Sequence, residues 1–215
     1  DTEAAILLEW KGRDGSILDT RHAEIQAGGT LFQTLSSLFA PIPDSPDGYL
    51  RITSSTEICG FSLAATEDTF VSFPALAPAE TSALYAPHFL LLPDGSGTEL
   101  QLVNVGQLPV SIVFQTFDEP GTEFETQGME LPAGAMLKGN LTEFIPLDPG
   151  NLGEEQILTG EMKISISPVG DYEGLETPEV IGGVTLSGSA RNSAGLPLEP
   201  GGWKKIIFPH VAQSL

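Results

Sequence analysis

At 215 residues the chain is long enough for one large or two ordinary domains, each able to bury a core. Hydrophobic residues at 40% and charged residues at 18% describe a folded protein and exclude a disordered one. With 29 Asp plus Glu against 9 Lys plus Arg, the formal net charge of −20 repels phosphate backbones and anionic headgroups, which argues against nucleic acid and membrane surfaces as partners.

Cys59 is the only cysteine, so neither an internal disulfide nor a cysteine-based metal cluster is available. Its setting, Glu57-Ile58-Cys59-Gly60-Phe61, predicts a buried thiol acting as a small hydrophobe. No apolar run approaches the roughly 20 residues of a membrane helix, which predicts no membrane insertion. The chain opens on Asp1 without Met, as a processed exported protein or a trimmed piece of a longer one would, and its acidic, Gly- and Pro-rich, cysteine-poor composition fits the bacterial cell exterior.

In chain order, residues 4–31 and 110–137 align without a gap at an offset of 106, from 4 to 110. Ala4-Ala5-Ile6-Leu7-Leu8 faces Val110-Ser111-Ile112-Val113-Phe114, Gly15-Ser16 faces Gly121-Thr122, and Ala27-Gly28 faces Ala133-Gly134. One register that matches apolar runs, turns and corners reads as an internal repeat. Each segment predicts a strand, a tight turn, a second strand and a corner. Leu31, Leu35 and Leu38, like Leu137, Leu141 and Phe144, then fall at helical intervals and predict one or two helical turns capping a sheet.

Tyr49-Leu50-Arg51-Ile52-Thr53-Ser54 alternates as a half-buried strand does, and Gly160 to Ser165 takes its place in the second half at an offset of 112. Gly60 to Ala64 and Gly183 to Ser187 follow as strands, then Phe70 to Pro74 and Ala190 to Ser193. Finally Ala86-Pro87-His88-Phe89 returns as Phe208-Pro209-His210-Val211, at an offset of 122 from 88 to 210.

The predicted fold is all-β: two tandem antiparallel β-sandwich modules, immunoglobulin-like or jelly-roll, with short helical corners. Residues 1–84 form the first module and 85–215 the second, with 203–215 as the start of a next repeat or a swapped strand. Nothing in residues 1–84 corresponds to Tyr85 to Pro109, so the first module lacks its opening strands. A sandwich without them exposes apolar faces and unpaired edges. Either the chain is cut from a longer tandem array, or the missing strands are replaced by other segments, by Trp203 to Val211 folding back or by a second molecule in a strand-exchanged homo-oligomer; at least one edge of the first module is expected to be completed in this way.

Pro87-His88-Phe89, the Thr98-Glu99-Leu100-Gln101-Leu102-Val103-Asn104 strand, the Ala133-Gly134 corner, Gly160-Glu161-Met162-Lys163-Ile164 and Gly183-Val184-Thr185-Leu186 follow one another in this order. The series resembles repeat modules of uncharacterised exported bacterial proteins. The resemblance implies a secreted or surface-attached, non-enzymatic β-sandwich without a defined ligand.

His88 and His210 recur, yet only His22 joins them, and no metal-binding or Ser/His/Asp constellation is visible. They are read as structural corner residues whose imidazoles bond backbone after Pro fixes the turn. Carboxylates are read as solvated charge. Calcium is a minority alternative to the absence of any cofactor, with Asp44, Asp47, Asp171 and Glu173 as oxygen donors. Trp10 and Trp203 are the candidates for a sugar-stacking platform, against a more ordinary packing role. The leading expectation is a non-catalytic structural, adhesive or protein-binding module, extracellular or at the bacterial cell surface. Carbohydrate binding is the alternative, and an enzyme ranks below both.

Overall fold

The computed structural model describes residues 3–39, 47–65, 70–78, 80–92, 96–118, 120–146, 157–170, 178–189 and 192–198. They form thirteen strands and two helices of four residues, so the fold is all-β. In chain order these are β1 Ala4–Gly12, β2 Ile17–Ile25, α1 Leu35–Leu38, β3 Gly48–Ser54, β4 Phe61–Ala65, β5 Phe70–Pro74, β6 Ala83–Leu91, β7 Thr98–Asn104, β8 Val110–Phe117, β9 Glu123–Leu131, β10 Met136–Asn140, α2 Leu141–Phe144, β11 Leu158–Pro168, β12 Val180–Ser189 and β13 Asn192–Pro197.

The second half builds a closed sandwich. One sheet has the order β6-β11-β8-β9 and the other β10-β7-β12-β13, with antiparallel neighbours throughout. Alternation puts Val110, Ile112 and Phe114 of β8 and Met162, Ile164 and Ile166 of β11 on one face. Leu100 and Leu102 of β7, Leu137 of β10 and Val180 of β12 join the same core from the other sheet. The hairpin partners β6 and β7 lie in different sheets, so they contribute one strand to each layer. Thr98 ties them: its hydroxyl accepts from the Leu90 amide at 2.8 Å and donates to the Leu90 carbonyl at 2.9 Å.

The first half has a three-stranded sheet in the order β2-β1-β3 and a separate β4-β5 pair. Its local geometry repeats that of residues 110–145 feature by feature. The β1–β2 register, Ala4 opposite Ile25 and Leu7 opposite His22, becomes Val110 opposite Leu131 and Val113 opposite Gly128, 106 positions on in each case. The register shift between Trp10 and Lys11 returns between Thr116 and Phe117. Gly15 at φ +83° matches Gly121 at +87°, and Gly28 at +71° matches Gly134 at +72°. Both helices end alike, with Phe39 N–H bonded to Leu35 O and Ile145 N–H to Leu141 O. Strand β3 continues the likeness at an offset of 112: Ile52 pairs with Leu8 where Ile164 pairs with Phe114.

Two differences from sequence expectation have physical causes. The run from Leu137 is strand to Asn140 and helix only from Leu141, because β10 gains a ladder with β7. The corresponding residues 30–34 are neither strand nor helix, since the first half holds no β7 equivalent for them to pair with among the described residues; Phe32 is left exposed. The first half instead has a small core of Ala4, Ile6, Leu8, Trp10 and Phe39.

The two halves meet at the β1–β2 turn and again where β5 lies alongside β13. Met136 N–H bonds Arg13 O at 2.8 Å, and the Arg13 guanidinium returns a bond to Lys138 O. Gly15 lies so close to Gly134 that a Cβ there would sit 2.5 Å from the Gly134 carbonyl oxygen, which excludes any other residue.

Asn104 closes the larger sandwich at its end. It is fully buried, and its amide nitrogen donates to Leu108 O at 2.8 Å, Pro132 O at 3.1 Å and Leu131 O at 3.2 Å, while its oxygen accepts from Gly106 N–H at 3.1 Å. One side chain thus fixes both the β7–β8 turn and the corner before β10. Asn104→Leu is expected to destabilise the protein by about 2–3 kcal/mol, because buried backbone groups lose their partners. Denaturant unfolding measures this, and a change below about 0.5 kcal/mol would show that the turns hold themselves.

Candidate functional site

The feature that departs most from an ordinary folded surface is the set of exposed apolar side chains on β3 and on β4. The β3 residues Leu50 and Ile52 lie opposite Trp10 and Leu8, on the face of β1 that builds the small core. Their equivalents in the closed sandwich are Met162 and Ile164, which stand opposite Thr116 and Phe114. Leu50 is 37% exposed and Ile52 44%, against 1% for Met162 and 0% for Ile164. The chemistry of the positions is the same; what differs is the covering, because β6 pairs with β11 while no described strand pairs with the outer edge of β3.

Ile58 and the β4 residues Phe61 and Leu63 are exposed as well, Phe61 to 65%. Strand β4 has β5 on one side only among the described residues, whereas β12 is flanked by β13 and by β7. Strand β5 lies alongside β13, with the Phe73 ring so close to Gly183 that a Cβ there would come within 3.2 Å. Most of the large hydrophobic side chains exposed on the described surface belong to the first half: Ile17, Leu18, Phe32, Leu50, Ile52, Ile58, Phe61 and Leu63. Exposed apolar side chains beside unpaired strand edges leave main-chain groups open to further pairing.

The opposite face of β3 is polar and anchored. Arg51 lies 3.8 Å from Glu9, and the Tyr49 hydroxyl donates to Gly134 O at 2.9 Å. Burial pushes the Tyr49 phenol above its ordinary value of 10.0, with Arg51 pulling it down and Glu9 adding to the rise. At the β1–β2 turn, hydrogen bonds from the Ser16 hydroxyl and amide hold the Asp14 carboxyl below its ordinary range.

The residues singled out by sequence do not assemble into one site. Trp10 is a core residue, 5% exposed, with its ring 5.9 Å from that of Phe39. It cannot offer a face to a sugar, because alternation along β1 turns it inward with Ile6 and Leu8. Trp203 lies outside the described residues, as do Asp44, Asp171, Glu173 and His210. Asp47 is exposed and 3.6 Å from Arg13, an ion pair in open solvent. Among the described residues, no group of three or more His, Cys, Asp or Glu side chains could hold a metal ion.

His88 is exposed and sits within β6, not at a corner between strands. There Pro87 and His88 form a bulge: Phe89 faces Gly160 and Ala86 faces Met162, so two residues of β6 oppose one of β11. The missing amide of Pro87 makes that local break in the ladder inexpensive. Cys59 is exposed, not buried, and lies in the link between β3 and β4.

An open depression of about 600 Å³ lies on the other face of the β2-β1-β3 sheet, lined by Leu7, His22, Glu24 and Thr53 among others. Among the described residues, the ion pairs on this sheet are those of Arg21 with Asp19 at 2.7 Å and of Arg51 with Glu9, and neither reaches into it. Thr98 and Asn104, by contrast, act on structure and were legible only as parts of a strand. No family model, curated protein or solved structure matches the chain.

The Tyr49 bond makes a pH prediction. With the folded-state value raised, the unfolded chain loses its phenolic proton first, so this contribution is intact below about pH 10 and declines as pH rises past it. Tyr49→Phe is expected to cost about 1 kcal/mol at neutral pH and to shrink that alkaline loss. Denaturant unfolding of both proteins at pH 7 and pH 10.5 checks it, and identical differences at the two pH values would contradict it.

Proposed function

We propose that the chain is a non-catalytic, protein-binding structural unit built from two copies of one β-sandwich module, and that it serves as a spacer or adhesive element of an exported bacterial protein. The observation that carries this reading is the pair of equivalent strands β3 and β11. They hold the same register to equivalent neighbours, β3 to β1 and β11 to β8, while the apolar residues of β3 stay uncovered. Supporting it are the turns, bulge and helix ends spaced at 106 and the two separate cores. The acidic composition and the lone cysteine suit an extracellular setting.

A module that keeps apolar side chains on an unpaired edge keeps them at a cost in solubility, which selection tolerates where the edge is used. Polypeptide is the ligand class that fits, because main-chain pairing supplies affinity and alternate side chains fill the apolar face. The glycan reading has lost the Trp10 platform to the core.

The test is binding of the intact chain, by surface plasmon resonance, to panels of extracellular proteins and of glycans, together with the Phe61→Asp variant. Expected are saturable binding to a protein, weakened at least tenfold by Phe61→Asp with the circular dichroism spectrum retained, and flat responses to glycans. Saturable glycan binding that Phe61→Asp leaves intact would overturn the reading.

A further inference from the structure

We propose that residues 205–213 of a second copy of this chain pair with the outer edge of β3 and cover Leu50 and Ile52. The inference deepens the reading of two module copies and rests on it.

In the closed sandwich the outer edge of β11 is taken by β6, with Ile164 opposite Leu84, Met162 opposite Ala86 and Gly160 opposite Phe89. Leu84, Ala86 and Phe89 are the side chains that β6 buries there. At the offset of 122 that brings Pro87-His88 onto Pro209-His210, these three become Ile206, Phe208 and Val211. All three are apolar, and the Pro-His pair that forms the β6 bulge keeps its place between the second and the third. Residues 205–213 therefore carry the pattern of a β6-type strand. The β11-type strand available to receive it is β3, whose outer edge has no partner among the described residues.

Carrying the β6–β11 register across places Ile206 opposite Ile52, Phe208 opposite Leu50 and Val211 opposite Gly48. Gly48 suits that place, as Gly160 does opposite Phe89, because a Cβ at either would meet a carbonyl oxygen at 2.0 Å. Phe208 is larger than Ala86, and the first half has no described second-layer strand like β7 to limit it.

Chain order selects a second copy as the source. Strand β6 precedes the strands it joins, β8 and β11, whereas residues 205–213 follow β1 and β3 of their own chain. They stand in the order of a strand that precedes residues 1–84 of another copy. Such a contact joins two different surfaces, so it propagates head to tail.

Sedimentation of full-length variants at about 0.15 M salt, where like charge between copies is screened beyond roughly 8 Å, tests this. The intact chain is expected to grow beyond monomer mass with concentration, and Ile52→Asp and Phe208→Asp, each folded by circular dichroism, are expected to stay monomeric alone. Mixed, the two variants have one intact β3 edge and one intact donor between them, and are expected to form a 1:1 dimer and nothing larger. A chain that stays monomeric at every concentration, self-association that survives either change, or a mixture that fails to dimerise would overturn the proposal. Two calorimetric unfolding transitions, one lowered by Trp10→Ala and the other by Phe114→Ala, would in that event leave the module reading standing; a single transition lowered by both would end it.

Discussion

An apolar sheet face has to be covered, and in this fold the β6–β7 hairpin decides whether it is. Because β6 edges one sheet and β7 lies inside the other, the hairpin closes both layers with a single excursion. Thr98 locks the excursion at its tip by bonding both polar groups of the Leu90 backbone, and Asn104 locks its exit. Where the hairpin is present, Met162 and Ile164 vanish into a core; where nothing described takes its place, Leu50 and Ile52 face solvent. Residues 30–34 follow the same rule, being ladderless where β10 has β7 beside it.

The all-β class, the alternating strands and the repeated turns were legible because they depend on local pattern. Period-two alternation marks β1 and β8, and the glycines at positive φ mark the same turns twice. That residues 1–84 hold no counterpart of Tyr85 to Pro109 was legible in the sequence itself, and it led to the expectation of uncovered apolar faces there. What local pattern could not carry was tertiary covering. Cys59 and Trp10 sit in equally apolar stretches of sequence, yet one is exposed and the other is packed against Phe39. The helical spacing from Leu137 misled for the same reason: a partner strand far away in sequence overrode it. His88 shows a third case, since a Pro-His pair reads as a corner until the opposing strand reveals a bulge.

The halves are joined at the β1–β2 turn and by β5 lying alongside β13. A glycine-to-glycine approach at Gly15 and Gly134, the Arg13 bonds to β10 and the Tyr49 hydroxyl set the β1–β2 turn against one corner of the closed sandwich. None of these covers Leu50 and Ile52 of β3, which lie on the other face of the sheet from Tyr49. The fold thus fixes the position of the first half while Leu50 and Ile52 stay uncovered among the described residues.

Residue-resolved amide hydrogen exchange of β3 and β11 at low and at high protein concentration measures the central contrast directly, since the two strands share one register and differ in their covering. Slow exchange along β11 at both concentrations, with β3 exchanging fast when dilute and slowing when concentrated, is the expected result. Equal protection of both strands at the lowest concentration would contradict it.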